Sequence, residues 1–278
     1  MQVLASFACF ARTLGRMKAP SDPFAALRGL RIGCVRYLNA RPLIEPYDGP
    51  VQLDHPSALA AALQRGELDV ALVPVYEALR MPECVAADGV AIASRGPVWS
   101  VILAYQGVLE AIRQVALDPA SRTSVHLCKV FFAEWGVRIP EYVPEPAPKG
   151  AARVIIGNQA IAFREKHEGA YHILDFGEAW LRRTGLPFVF AVWLIRPEVK
   201  EPQRVAEAFR EIARRGQAQI DAIVASHREH HATFAKCYLT EYIRFGLGPE
   251  EKEGIERFRT LLCKHSLLPP ETSALRFV

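Results

Sequence analysis

An asparagine stands where an apolar run of the sequence gives way to a helical turn. In "RIGCVRYLNARPL" the apolar run ends near Tyr37, Asn39 follows, and Pro42 comes three residues later. Asn39 can cap the turn with its side chain, or it can direct its amide to a ligand. Ligands of parallel sheets bind beyond the carboxyl ends of the strands, and Asn39 is predicted to lie there. The sequence leaves both roles open.

A second cluster of polar residues points to anion binding. In "LDPASRTSVHL" a predicted strand ends and an amphipathic helix begins. The first turn carries hydroxyl groups and a guanidinium, those of Ser121, Arg122, Thr123 and Ser124. With the unpaired N–H groups of a helix N-terminus, they would suit a carboxylate or a phosphate. Capping by Ser121 alone would leave Thr123 and Ser124 without a role, so we favour the anion site.

Further candidates lie at other strand ends. In "SRGPVWSV", Gly96 and Pro97 interrupt a long apolar segment, and Ser100 follows. A serine in an apolar strand ordinarily satisfies a backbone group, so Ser100 belongs to a site only if a cleft passes it. Asn158 in "VIIGNQAI" has the same two interpretations as Asn39.

Two further features could carry proton or metal chemistry. Glu77 closes "ALVPVYE" and could be a general base, or a surface or capping carboxylate. His227 and His231 have i, i+4 spacing, but Arg228 occupies the glutamate position of HExxH, which favours a solvated helix. The sequence also contains no GxGxxG, P-loop, GxSxG or CxxC pattern. We therefore expect neither a metal nor a cofactor.

Composition narrows the class of protein. The chain has 278 residues, of which 50% are hydrophobic, so it can bury a large core in one domain or two lobes. Its net charge of +4 is spread along the chain without a basic stripe, which argues against a nucleic-acid partner. No apolar run reaches the ~20 residues of a membrane span. The six cysteines include no CxxC pair, which is typical of reduced thiols in a cytoplasmic protein.

The first 29 residues differ from the rest. Their apolar run is short, and positive charges follow it instead of preceding it, which is the wrong polarity for a secretory signal. The segment has few acidic residues and faintly resembles a transit peptide. We favour a disordered extension over residues 1–29, or a translation start at Met17.

From Leu30 onward, short apolar runs alternate with amphipathic segments, and the chain ends in helical patterns. This alternation predicts an α/β fold with a largely parallel sheet in each of two lobes. We expect the first lobe to comprise residues 30–104 and 195–278, and the second to comprise residues 105–194. The cleft between two such lobes is a usual place for a small-molecule site.

Six motifs occur in the order found in chorismate dehydratases. They are "RIGCVRYLNARPL", "GELDVALVPVYE", "IASRGPVWSV", "LDPASRTSVHL", "VIIGNQAI" and "TGLPFVFAVW". The sequence resembles that family from about Leu30 to its last residue. The resemblance implies a fold similar to type II periplasmic binding proteins, with an interlobe cleft. It also implies loss of water from chorismate to give 3-[(1-carboxyvinyl)oxy]benzoate, in the futalosine route to menaquinone, without a cofactor.

The resemblance assigns roles to the candidate residues. It implies that Asn39 and Ser100 lie beside the reacting ring and that the "SRTS" turn holds a substrate carboxylate. The remaining substrate-binding candidates from these motifs are Tyr37, Gly96, Pro97 and Asn158. An aspartate is expected at the last of these positions in the family, so the asparagine is a departure.

The predicted site is poor in strong bases. Either Glu77 reaches the cleft as a general base, or the enolpyruvyl carboxylate of the substrate removes the C3 proton itself. We favour the second mechanism.

Two other functions remain open from the sequence. One is 1,4-dihydroxy-6-naphthoate synthase, in which an "NDTF"-like stretch is expected where "YLNARPL" stands. The other is a non-catalytic protein that binds a small carboxylate. The sequence gives no oligomeric state.

Overall fold

The computed structural model describes residues 22–117, 122–136 and 138–278. Within them the chain forms two mixed five-stranded sheets. The strands are β1 (Ile32–Val35), β2 (Val51–Asp54), β3 (Val70–Pro74), β4 (Val85–Ser94), β5 (Val101–Tyr105), β6 (Gln114–Leu117), β7 (Glu141–Pro144), β8 (Ala152–Ile156), β9 (His172–Asp175) and β10 (Phe188–Ile195).

Helices cover the sheets and connect their strands. They are α1 (Pro56–Gln64), α2 (Val75–Ala78), α3 (Arg122–Trp135), α4 (Gly157–Lys166), α5 (Phe176–Thr184), α6 (Pro202–Ala218), α7 (Ile220–Ser226), α8 (Ala232–Cys237) and α9 (Pro249–Lys264). Three 3₁₀ helices span Ala25–Leu27, Leu38–Leu43 and Leu109–Ala111, and one π-helical turn spans Tyr238–Tyr242.

The two sheets share one pattern. The first has the strand order β2-β1-β3-β10-β4, and the second has the order β7-β6-β8-β5-β9. In each sheet the fourth strand, β10 or β5, is antiparallel to both neighbours. The pairs β1–β2, β1–β3, β6–β7 and β6–β8 are parallel. The expectation of an α/β fold is confirmed, but the sheets are mixed, because two of the four strand pairs in each sheet are antiparallel.

The apolar residues of the central strands explain why these strands are buried. All residues of β1 and β3 are buried, and β10 is buried at all positions but one. Strands covered on both faces read as continuous apolar runs, which is how "VALVP" and "FVFAVWLI" appear in the sequence. Asp175 is the N-cap of helix α5, and its side chain accepts hydrogen bonds from the backbone N–H groups of Gly177 and Glu178. It ends at Gly185, which adopts the left-handed conformation of a helix C-cap.

The chain passes between the sheets at two places, and both differ from the predicted lobe boundaries. The first passage lies at residues 95–100, so β5 belongs to the second sheet, although residues 101–104 were expected in the first lobe. The second passage follows α5, so β10 belongs to the first sheet, although residues 188–194 were expected in the second lobe. An apolar run predicts burial but does not indicate which sheet buries it.

The predicted extension of residues 1–29 lies mostly outside the described residues. Its last part, residues 22–29, is in contact with the first lobe. Leu27 is fully buried and Phe24 is nearly so. The Phe24 ring meets the Tyr47 ring edge-on at 5.9 Å, and the guanidinium of Arg215 lies 4.9 Å from its centroid. These eight residues therefore pack on α6 rather than forming a disordered segment.

The C-terminal part of the chain returns to the first sheet. Helix α6 packs on β4, and α9 packs on β10 and α3. Residues 276–278 form backbone hydrogen bonds with β4 at Ala86 and Asp88, which covers the edge of that strand. None of the helices in the described part of the chain is long and apolar enough to cross a membrane.

Candidate active site

A cavity of about 600 Å³, which includes space open to the solvent, lies between the two sheets. It is bordered by Val35, Pro74 and Ile156, the last residues of β1, β3 and β8. Carboxyl ends of parallel strands are the usual ligand-binding edge of such sheets. The cavity brings together six of the ten predicted site residues, which are Tyr37, Asn39, Ser100, Arg122, Thr123 and Ser124.

Asn39 and Ser100 are joined by a third residue that the sequence did not indicate. The Asn39 Nδ2 atom donates to the phenol oxygen of Tyr238 at 3.1 Å, and that phenol donates to Ser100 Oγ at 2.8 Å. All three side chains are buried, with exposed fractions of 8%, 1% and 1% for Asn39, Ser100 and Tyr238. Tyr238 belongs to the π-helical turn, a distortion that is frequent at functional sites.

Asn39 does not cap the helical turn in which it lies. The N-cap of Leu38–Leu43 is Tyr37, whose side chain makes no capping hydrogen bond. The amide of Asn39 is directed to Tyr238 and the cavity instead. Its Oδ1 atom is buried without a hydrogen-bond partner in the described part of the protein. A buried unpaired amide oxygen costs roughly 1–3 kcal/mol, so this atom is suited to accept a hydrogen bond from a ligand.

Ser100 is held in place by the residues of the first passage between the sheets. Both oxygens of Asp175 accept backbone N–H groups there, Val98 N at 3.0 Å and Trp99 N at 2.8 Å. Trp99 adopts a φ of 64°, which is unfavourable for a bulky side chain. The Arg164 guanidinium lies 4.5 Å from the Trp99 ring centroid and also pairs with Asp175 at 2.9 Å. This clamp fixes the backbone that carries Ser100.

The N-terminus of α3 forms the cationic wall of the cavity. Arg122 is its first residue, and the buried Thr123 and Ser124 follow. Thr123 Oγ1 accepts the backbone N–H of Tyr76 at 3.1 Å, which ties α3 to α2. A guanidinium, a hydroxyl and helix N–H groups at one place suit a carboxylate. Ser121, the first residue of the predicted "SRTS" site, lies outside the described residues.

Glu77 is buried beside this wall but does not line the cavity. Its Oε1 accepts from Arg122 Nε at 2.7 Å, and its Oε2 accepts from Arg80 Nη1 at 2.9 Å. Both oxygens are therefore engaged by guanidiniums. Among the described residues that line the cavity, none carries a carboxylate, imidazole, amine or thiol. The site is accordingly rich in hydrogen-bond donors and poor in groups that could remove a proton.

The remaining predicted site residues lie around the cavity. Gly96 and Pro97 do not border the cavity. The Gly96 carbonyl accepts a hydrogen bond from the Ser94 hydroxyl, and Pro97 is exposed. Asn158 bridges the lobes instead of lining the cavity. Its Oδ1 accepts the Leu38 N–H at 3.4 Å, and its Nδ2 donates to Glu229.

Tyr37 also crosses between the lobes. Its ring packs directly against Gly157, which has a φ of 60° and begins α4. A Cβ atom at position 157 would stand 2.7 Å from Tyr37 Cε1. Glycine is therefore required there both by the backbone and by the ring that closes this side of the cavity.

The histidines near residue 230 do not form a metal site in the described structure. No group of three or more His, Cys, Asp or Glu side chains within the described residues is placed to bind a metal. His231 Nδ1 accepts the Thr233 N–H at 3.4 Å and so caps α8.

Comparison with known proteins agrees with this architecture. The chain is 28% identical over 264 residues to the chorismate dehydratase of Thermus thermophilus, covering 85% of this chain and 96% of that protein. A solved protein of Archaeoglobus fulgidus matches with a TM-score of 0.68 at 14% identity, covering 86% of this chain and 98% of that one. The periplasmic aliphatic sulphonate binding protein of Escherichia coli matches with a TM-score of 0.59 at 18% identity, covering 88% and 90%.

The solved structures establish the fold, which is that of periplasmic binding proteins, as the sequence resemblance implied. A family model described as menaquinone biosynthesis matches residues 30–264, which is most of the chain. This range begins at the residue from which the sequence motifs were recognised. The protein therefore belongs to the menaquinone biosynthesis family.

Proposed function

We propose that the protein is a chorismate dehydratase, a carbon–oxygen lyase that eliminates water from chorismate to give 3-[(1-carboxyvinyl)oxy]benzoate. The named Thermus relative and the menaquinone biosynthesis family support this function. We place the reaction in the futalosine route. The observation that carries the proposal is the buried pair Asn39 and Ser100 facing a cavity whose cationic wall begins at Arg122.

The chemistry of the substrate fits such a cavity. Chorismate carries a ring carboxylate, an enolpyruvyl carboxylate and a C4 hydroxyl. The reaction breaks the C3–H and C4–O bonds, makes the ring aromatic and releases one water. Aromatisation supplies the driving force, so the protein chiefly positions the substrate. Mostly apolar walls, which include Ile92, Val98 and Phe190, would hold the ring, and Arg122 with Ser124 would hold a carboxylate.

The scarcity of bases supports a substrate-assisted elimination. In this mechanism the enolpyruvyl carboxylate removes the C3 proton, and that proton then joins the departing C4 hydroxyl as water. Both oxygens of Glu77 are bound by guanidiniums, which makes Glu77 a poor candidate for the base. Holding a reactive conformer is worth about 7–11 kcal/mol, which is sufficient for a site without a strong base. Asn39 and Ser100 would contact the departing hydroxyl or the enolpyruvyl arm.

We also infer that the enzyme works in the cytoplasm. The five cysteines of the described residues are free thiols, and three of them are buried. Free thiols are typical of a reducing compartment.

The test is direct. Purified protein is mixed with chorismate, without added metal or cofactor, and the products are followed by chromatography and mass spectrometry. We expect a product lighter by one water, and we expect its formation to be lost in Asn39→Ala. Unchanged chorismate would contradict the proposal. The next substrate would then be the cyclic futalosine intermediate of the sister enzyme, and tight binding of chorismate without turnover would indicate a binding protein.

A further inference from the structure

We propose that Tyr238 is a positioning residue that determines which atom of Asn39 and which atom of Ser100 faces the substrate. The phenol oxygen lies between the two side chains, 3.1 Å from Asn39 Nδ2 and 2.8 Å from Ser100 Oγ. The proposal rests on the proposed function for its chemistry, and on this geometry for its structure.

The chemistry of the amide fixes the direction of the first bond, and the structure gives the direction of the second. An amide nitrogen can only donate, so the phenol oxygen accepts from Asn39. The phenol then has one hydrogen, which it donates to Ser100 Oγ. As a result, Asn39 presents its carbonyl oxygen elsewhere, and Ser100 keeps its own hydroxyl hydrogen to donate. Both residues line the cavity, and Asn39 Oδ1 has no partner in the described residues.

This arrangement gives the two side chains complementary roles toward a leaving hydroxyl. The Ser100 hydrogen can bond to the departing C4 oxygen and stabilise the negative charge that develops on it. The Asn39 carbonyl can accept the hydrogen that the same hydroxyl already carries. One acceptor and one donor would orient the C4–O bond for elimination, whereas a rotated amide would place a donor where the acceptor is needed.

The surroundings keep Tyr238 in this role. Burial raises the pKa of its phenol far above the usual range, so it remains protonated and acts as a donor and not as a base. The Ile243 N–H donates to the Tyr238 carbonyl, five residues earlier, which closes the π-helical turn. The Phe234 ring stacks on the Tyr238 ring at 5.9 Å. Together these contacts hold the phenol under the two polar side chains.

The first test compares Tyr238→Phe with Tyr142→Phe. The first variant removes only the shared phenol oxygen. The second removes a buried phenol oxygen that has no partner in the described residues and lies on β7, away from the cavity. We expect Tyr238→Phe to lower kcat about 10- to 100-fold while KM changes less than about threefold, and Tyr142→Phe to leave both unchanged. A kcat equal to wild type for Tyr238→Phe would overturn the proposal.

A second comparison separates positioning from a general loss of structure. Because Tyr238 acts through Ser100 and Asn39, its removal should matter less when Ser100 is already absent. The fall in kcat from Ser100→Ala to Ser100→Ala/Tyr238→Phe should be several-fold smaller than the fall from wild type to Tyr238→Phe. Equal falls in both backgrounds would contradict the proposed coupling.

A third readout does not depend on chorismate turnover. The side-chain amide protons of Asn39 are followed by nuclear magnetic resonance, with the signal assigned by its loss in Asn39→Ala. We expect solvent exchange of these protons to be at least about tenfold faster in Tyr238→Phe than in wild type. Equal exchange rates would overturn the geometry. Failure of wild type to dehydrate chorismate, with protected Asn39 protons, would contradict the proposed function alone.

Discussion

Arg122 donates from Nε to Glu77 Oε1 over 2.7 Å, so the cation on the cavity wall is bonded to a buried carboxylate beneath it. The other carboxylate oxygen is bonded to Arg80 at 2.9 Å. Glu77 thus orients two guanidiniums. Its carboxylate, which was a candidate general base from the sequence, positions Arg122.

Replacing Glu77 by Gln should distinguish orientation from proton transfer. The amide keeps one acceptor but loses the charge that aligns Arg122. We expect KM for chorismate to rise roughly fivefold, about 1 kcal/mol of binding, while kcat stays within about threefold of wild type. Steady-state kinetics beside Glu67→Gln, which alters the exposed Arg65–Glu67 pair, is the measurement. A kcat lowered by several orders of magnitude would identify Glu77 as the base.

The contact between Asn158 and Glu229 predicts a charge effect on closure of the lobes. Asn158→Asp places two carboxylates together and weakens the link between α4 and the segment after α7. We expect KM to rise about three- to tenfold, corresponding to about 1 kcal/mol, and the effect to shrink in high salt. The double variant Asn158→Asp/Glu229→Gln, which removes the repulsion, should recover most of the affinity. An equal KM for both variants would contradict a closing role.

The clamp on the first passage between the sheets predicts a large effect on stability. Asp175→Asn removes the charge that compensates the mostly buried Arg164. We expect the free energy of unfolding to fall by about 3 kcal/mol, because the cation is left buried and unpaired. Urea denaturation followed by tryptophan fluorescence measures the loss. Adding Arg164→Met should restore part of the stability, and no restoration would locate the effect in the backbone bonds to Trp99 instead.

The imidazole of His126 predicts how stability depends on pH. Its ring stacks on Tyr76 at 3.5 Å, and its Nδ1–H donates to the Arg122 carbonyl at 2.7 Å. Burial, together with the neighbouring cations of Lys129 and Arg122, lowers its pKa from 6.5 to about 4, although the hydrogen bond to the Arg122 carbonyl and, more weakly, Glu77 act in the opposite direction.

The pKa of His126 is lower in the folded protein than in the unfolded chain. At pH values between the two, His126 therefore binds a proton when the protein unfolds. The contribution of neutral His126 to the free energy of unfolding is fully present above about pH 6.5. It is lost as the pH decreases toward 4, by at most about 3 kcal/mol. Unfolding of His126→Gln should show a flatter pH dependence than wild type over this interval. The exposed His55→Gln is the control, and identical slopes in all three proteins would refute the assignment.

The polar residues at strand ends were predictable because local rules place them. Asn39 follows a buried strand, and Arg122 begins a helix after another, so each position follows from its own neighbours. Tyr238 has no such signal: it is 199 residues from Asn39 and 138 residues from Ser100 in sequence. Its aromatic ring in an apolar context is typical of core packing, and a π-helical turn has no recognisable sequence pattern.

Two local features of the structure also differ from what the residue types favour, and each has a physical cause. Ser57 is of a residue type favoured at N-caps, but Pro56 takes the first helical position of α1 and His55 is the N-cap. Strand β7 lies at the edge of its sheet and contains Glu141 and Pro144, because edge strands tolerate residues that central strands exclude.

The position of β10 has a consequence for synthesis of the chain. All strands of the second sheet lie between Val101 and Asp175, so that sheet can assemble as soon as this continuous stretch leaves the ribosome. The first sheet instead waits for Phe188–Ile195 to enter between β3 and β4, strands translated about a hundred residues earlier. Until then the two strands have unpaired edges. We expect nascent chains that stop before residue 188 to bind chaperones through the first sheet, although the second sheet is already folded.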